Sequence, residues 1–351
     1  MEMARINFSL INTTAAPDLN GYWDNFFRSL TTVDAVVFSL VSVLGVLGNG
    51  LVIWVTGFRM KKTVNTVWYL HIAVADFIFA VFLALRATSL ALQFHWPFGN
   101  FMCKLCGTLI FLNLFASVYI LVVISVDRCV SVVWPVWAQN HRNVRNATYV
   151  SLCAWVVALI VNIQHYFYMD TKKENENTTY CPNINFFEKA TPTVIQTISI
   201  THVLLGFAVP FTVIVSCYAV IIHRLRRNHS LASQSSRPFK VITSIIVAFF
   251  LCLAPYYIID LQLVIFKAPN ETFRYAFRIV SKVASNLMVL HCCLNPLLYV
   301  FLRQDFKAEI RKSILNVLEN ALKEEETRSP SDMKSVNTRQ SREKSDLITE
   351  V

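Results

Sequence analysis

The chain has 351 residues, of which 55% are apolar and only 15% charged. A soluble globular chain carries about 25% charged residues, and the mean hydropathy here is +0.47, so the composition points to a membrane protein. The net charge of +10 comes from 32 Lys and Arg against 22 Asp and Glu. The basic residues fall in short loops between apolar runs, so the charge speaks to orientation across a bilayer and not to nucleic acid.

Residues 1–32 are polar and carry the glycosylation-type triplets that start at Asn7 and Asn12. No basic segment with a short apolar core precedes the first long run, Val33 to Val55, which is expected to act as a signal anchor. That run holds Asn49 within GNG. The second, Val67 to Leu92, carries Asp76 inside LHIAVADFIF, and then Arg86. The third opens at Phe101, contains Asn113 as its amide, and closes on Asp127-Arg128 before a basic stretch to Arg142. About 20 residues suffice to cross a bilayer as a helix, and a charge at the end of such a run sits at the water interface.

The fourth run, Tyr149 to Phe167, centres on Trp155. A polar loop, Met169 to Pro192, holds Cys181 and the triplet at Asn177. The fifth run, Val194 to Ile222, contains His202, Pro210 and Tyr218, and the strongly basic HRLRRNHSLASQSSRPFK follows it. The sixth, Val241 to Phe266, holds Pro255; a loop with a triplet at Asn270 leads to the seventh, Phe277 to Leu302, with NPLLY from Asn295 to Tyr299. Seven runs predict an all-α membrane protein, a seven-transmembrane helix bundle over residues 33–302.

Loops after the odd-numbered runs hold far more Lys and Arg than those after the even-numbered runs, including Arg59, Lys61, Lys62, Arg142, Arg145, Arg224 and Arg226. The positive-inside rule makes these loops cytoplasmic and the N-terminus external. The triplets at Asn7, Asn12, Asn177 and Asn270 then all lie outside, whereas those at Asn146 and Asn228 would be cytoplasmic and read as chance. Of the nine Cys residues, Cys103 and Cys181 stand at outer positions, where an oxidising compartment permits a disulfide; the other seven lie inside apolar runs, and no spacing suggests a metal site. Residues 303–323 place Phe306, Ile310, Ile314 and Leu318 on one helical face, the pattern of a short amphipathic eighth helix on the inner leaflet. The tail, 324–351, is polar, expected to be disordered, rich in Ser and Thr that could accept phosphate, and ends Thr349-Glu350-Val351 in the form of a PDZ-domain ligand.

The ordered set Asn49, Asp76, Cys103, Asp127-Arg128, Trp155, Cys181, Pro210, Tyr218, Pro255, Asn295-Pro296 and Tyr299 resembles the rhodopsin-like (class A) G-protein-coupled receptors over nearly all of the chain after its N-terminal tail. GFRMKKTVNTVWYLHIAVADF, DRCVSVVWPVWAQNHR, SSRPFKVI and LNPLLYVFLRQDFK resemble more narrowly the chemoattractant branch, with the formyl-peptide receptors, the chemerin receptor and the chemoattractant prostaglandin D2 receptor. The resemblance implies a plasma-membrane receptor, not an enzyme, with an extracellular ligand, an inhibitory heterotrimeric G protein and arrestin as partners.

Under that resemblance Asp127 holds Arg128 until a G protein meets it, with Tyr218, Asn295, Pro296 and Tyr299 in the same switch; the plainer reading is an interfacial ion pair that anchors topology. Asp76 with Asn49 and Asn113 forms a polar core that is expected to hold a sodium ion, or that simply glues helices at roughly 1 kcal/mol or less per contact. His291, where relatives often have Asn, weighs against the ion. No other cofactor is implied. Arg86, Phe111, His202, Tyr256, Tyr257, Asp260 and Ser285 are expected to face the outer cavity and take a ligand. His202, a residue only partly charged at pH 7, stands where the resembling receptors place Arg or Lys; its alternative is a core His bonded to a neighbour. Phe111 and Ile198 stand where formyl-peptide receptors carry Asp and Arg, and Met169 where the chemerin and prostaglandin receptors show Arg, so the formyl-peptide constellation is absent, which argues against that ligand. Leu253 replaces the Trp that usually precedes the Pro of the sixth run, which shifts coupling to Phe249 and Tyr256 or weakens G-protein activation.

The leading reading is a receptor for a peptide or protein C-terminus, with a lipid carboxylate as the alternative ligand. A scavenger that recruits arrestin without G-protein signalling is the second class. A channel or transporter is the third, opposed by the lack of an internal repeat.

Overall fold

The computed structural model describes residues 19–175, 178–181, 191–227, 243–244, 246–247, 250–262 and 271–302, together with Arg311 and Leu315. Its elements are α1 (Leu19–Trp54), α2 (Val64–Ala91), α3 (Gly99–Val133), the short α4 (Pro135–His141), α5 (Val144–Tyr168), strands β1 (Lys172–Asn175) and β2 (Thr178–Tyr180), α6 (Pro192–Val203), α7 (Val209–Arg227), α8 (Phe250–Gln262) and α9 (Glu271–Leu302). A π-turn, Val55–Arg59, ends the first span, and another, Leu204–Ala208, joins α6 to α7 into one fifth span. Among the described residues six helices are long and apolar enough to cross a membrane, and α8 supplies the described part of the sixth span. Helices satisfy every backbone group internally, which hydrocarbon demands. Asn7, Asn12, Asn177, Asn270, the amphipathic stretch apart from Arg311 and Leu315, and the C-terminal tail lie outside the described residues.

α3 is the axis of the bundle. Of its most apolar stretch 61% is buried, against 28% for α1 and for α5, whose outer faces show Leu47 and Ile160. α3 packs on α2, α5 and α7, while α1 packs on α2 and α9. Helix starts are capped locally. Thr63 and Thr66 form a reciprocal box at α2, Asn143 accepts from the Asn146 amide at α5, and Thr191 with Pro192 opens α6.

The outer lid is built on a turn between α2 and α3. Gln93, Phe94 and Gly99 adopt positive φ there, and the buried Trp96 donates Nε1–H to the Gly99 carbonyl at 2.9 Å. β1 and β2 pair antiparallel, and the Trp96 amide donates to the Thr179 carbonyl at 2.6 Å. The Cys103–Cys181 disulfide, with Cα atoms 5.7 Å apart, then fixes the end of β2 over α3.

One boundary differs from the sequence-based expectation. α1 begins at Leu19, inside the stretch assigned to a polar tail up to residue 32. Its 36 residues span about 54 Å at 1.5 Å per residue, well beyond a hydrocarbon core of about 30 Å. Aromatic packing holds the extension. Trp23 stacks on Tyr275 of α9 with centroids 4.6 Å apart, and the Arg278 guanidinium lies 4.1 Å over the Phe27 ring.

Candidate functional site: an outer cavity and an inner polar switch

A cavity of about 1260 Å³ opens among α1, α2, α3, the β1–β2 hairpin, α6, α8 and α9. Arg86, Phe111, Tyr256, Asp260 and Ser285 line it. Arg86 donates Nη1–H to the Cys181 carbonyl at 3.3 Å, so the disulfide that anchors the lid also orients this cation. Met169 is buried among the lining residues. It lies against Gly107, where any β-carbon would collide with its sulfur, so the glycine makes the floor.

His202 and Tyr257, expected to face this cavity, do not line it. His202 is 2% exposed and stacked on His165 of α5, with centroids 4.7 Å apart, and Phe111 lies 5.3 Å away. Phe111 covers the histidine pair from the cavity side, which makes His202 a core residue. Tyr257 turns toward the fifth span, beside Phe207 at 5.6 Å, and its hydroxyl occupies the room left by Gly206.

Two lining residues were not singled out from sequence. Asp34 of α1 and Lys282 of α9 form an ion pair in the cavity wall. Lys282 also donates to Thr31 Oγ1 at 3.2 Å, and Asn286 Nδ2 donates to Asp34 Oδ1 at 2.8 Å. Charges inside apolar runs were the available signal, since such residues are rare and paired.

Deeper in the bundle Asp76 is fully buried, and His291 Nε2 lies 3.7 Å from its Oδ1. Asn49 donates Nδ2–H to the carbonyls of Gly45 at 2.9 Å and Cys292 at 3.0 Å, tying α1 to α9 instead of reaching Asp76. Neither amide atom of the buried Asn113 has a hydrogen-bond partner among the described residues. The Asn295 and Tyr299 side chains lie outside the described residues, while Pro296 is a buried interruption inside α9. Leu253 is 1% exposed, packed in the core.

At the inner end, Arg128 Nη2 is 3.8 Å from Asp127 Oδ2 and also donates to Asn65 Oδ1. The closer partner of Asp127 is Arg142, whose Nε–H is shared between the two carboxylate oxygens at 2.9 and 3.1 Å. Arg142 Nη2 donates to the same Asn65 oxygen at 2.8 Å. Arg142 had been read only as loop charge. Tyr69 and Tyr218 lie near Arg128, and Thr243 of the sixth span is a neighbour of Tyr218. The inner end is thus a four-residue polar network beside the fifth and sixth spans.

A helical membrane bundle with a lidded outer cavity and an arginine network at its inner end is the architecture of a seven-helix receptor. The model of the seven-transmembrane receptors of the rhodopsin family matches residues 48–299, and the chain belongs to that family. It is 40% identical over 306 residues to Chemerin-like receptor 1 of Sus scrofa, covering 83% of this chain and 82% of that protein. The human Chemerin-like receptor 1 is 40% identical over 304 residues, 83% of this chain and 80% of that protein. N-formyl peptide receptor 3 of Homo sapiens is 37% identical over 300 residues, 82% of this chain and 84% of that protein. The protein is therefore a multi-pass plasma-membrane receptor of the chemoattractant branch, and not an enzyme.

Proposed function

We propose that the outer cavity takes the C-terminal segment of an extracellular peptide or protein, with the ligand carboxylate at Arg86, and that the receptor signals through an inhibitory G protein at Arg128. The observation that carries this reading is the cavity: at about 1260 Å³ it exceeds the 300–1,000 Å³ typical of drug-sized sites, and Arg86 lies in its wall. A planar guanidinium pairs with a carboxylate through two parallel hydrogen bonds, and the Cys181 carbonyl holds it in place. The names of the relatives, which speak of chemerin and formyl peptides, support a peptide over a lipid acid. A prostaglandin-type lipid carboxylate remains the alternative occupant of the same cation.

Leu253, buried where relatives usually carry a coupling Trp, favours a second reading in which the receptor scavenges ligand through arrestin. Cells expressing the receptor, exposed to chemerin-type peptides, formyl peptides and prostaglandin D2, are read for cAMP and arrestin recruitment side by side. A pertussis-toxin-sensitive fall in cAMP supports the signalling receptor and names its ligand class. Arrestin recruitment with unchanged cAMP supports the scavenger. Further proposals are a sodium ion near Asp76 and a PDZ domain at Val351.

A further inference from the structure

Among the described residues three carboxylates line the outer cavity, Asp34, Asp170 and Asp260. Two of them have a cation of this chain beside them: Lys282 on Asp34, and Lys104 Nζ 3.1 Å from Asp170 Oδ1. Asp260 differs. It is only 6% exposed, and no Lys, Arg or His among the described residues lies within ion-pair distance of it. Its polar neighbour is the Ser199 hydroxyl across on α6, which carries no charge. Tyr256, one turn earlier on α8, lines the cavity beside it. A carboxylate buried without a cation is costly, and in membrane proteins such residues face a cavity and mark what the cavity binds.

We propose that Asp260 is a cation subsite: the ligand carries a basic side chain, an ammonium or guanidinium, that reaches Asp260 while its carboxylate lies at Arg86. This inference rests on the peptide reading above and adds a second charge of opposite sign to the ligand. Tyr256 offers the cation a ring face as well as a carboxylate. A lipid acid with a single carboxylate would leave Asp260 buried and unpaired, so the subsite selects against that occupant.

The test uses the full-length receptor in lipid nanodiscs, with empty nanodiscs as background. Two random heptapeptide libraries are passed over it, both acetylated at the N-terminus, one with a free carboxylate and one amidated. Peptides retained by the wild type should carry Lys or Arg at a fixed distance from the C-terminus. Asp260→Asn, which keeps the shape, should lose that bias and bind the wild-type winners about tenfold more weakly, the scale of one charge-assisted hydrogen bond. Asp260→Lys, checked for folding by its surface expression and thermal midpoint, should shift the bias to Asp and Glu. Absence of a basic bias on the wild type, or the same bias on Asp260→Asn, overturns the subsite. Equal retention of amidated and free-acid peptides would remove the carboxylate reading at Arg86 while leaving the Asp260 subsite standing.

Discussion

Lys282→Met tests whether α1 and α9 are held together by charge. In the native chain Lys282 bonds Asp34 and Thr31, and Asn286 donates to the other Asp34 oxygen. The Asp34 side chain is 10% exposed and that of Lys282 20%. Removing one partner of a fully buried pair costs about 3–5 kcal/mol, because the other charge is stranded. Here the cavity admits water and Asn286 stays on the carboxylate, so the discounted cost is about 1–3 kcal/mol. At roughly 2–4 °C per kcal/mol the thermal midpoint should fall by about 2–12 °C. The assay is a fluorescence melt of purified receptor in nanodiscs. The decisive comparison is the double variant Asp34→Leu/Lys282→Met, which removes both charges and should recover most of the loss. A single variant as stable as the parent, or a double variant no better than the single, would refute the reasoning.

Other expectations bear on the inner network and the lid. Arg142→Ala frees Asp127 to close on Arg128, so ligand-independent cAMP suppression should fall by about threefold, the scale of a partly exposed ion pair; Asn65→Ala, which takes a partner from Arg128, should move it the other way, and a shared direction would sink the idea. Arg128→Ala should abolish G-protein activation at unchanged surface level, measured by nucleotide exchange and flow cytometry. Cys103→Ser releases the lid carrying the Cys181 carbonyl from Arg86, and surface delivery or ligand binding should drop below a tenth of the parent. Melts in sodium against choline chloride should show a sodium-dependent gain for the parent that Asp76→Asn abolishes, smaller than the gain of His291→Asn because His291 flanks Asp76; no sodium-dependent gain in the parent would remove the ion.

The seven-helix plan was legible because hydrocarbon imposes length and apolarity on each span, and loop charge orients them. Arg86, Phe111, Tyr256, Asp260 and Ser285 could be placed from their family positions. Other features depend on contacts distant in sequence. The start at Leu19 rests on stacking of Trp23 with Tyr275, which no local pattern announces. His202 reads as a ligand-gripping residue until His165 and Phe111 are seen to enclose it. Arg142 looked like one loop charge among several, and only geometry shows it nearer to Asp127 than Arg128 is. Asp34 and Lys282 were each visible as charges in apolar runs, but their pairing bridges helices at opposite ends of the chain.

The long first helix has a mechanical consequence. Below the Trp23–Tyr275 stack, α1 and α9 are joined again at Asp34–Lys282 and at Asn49 with the Cys292 carbonyl. These ties run down α9 toward Pro296, where the helix lacks one backbone hydrogen bond. The chain before Leu19 is thus attached to a handle. A pull on the outer end of α1 is therefore carried along the same rod to the proline near the inner end of α9.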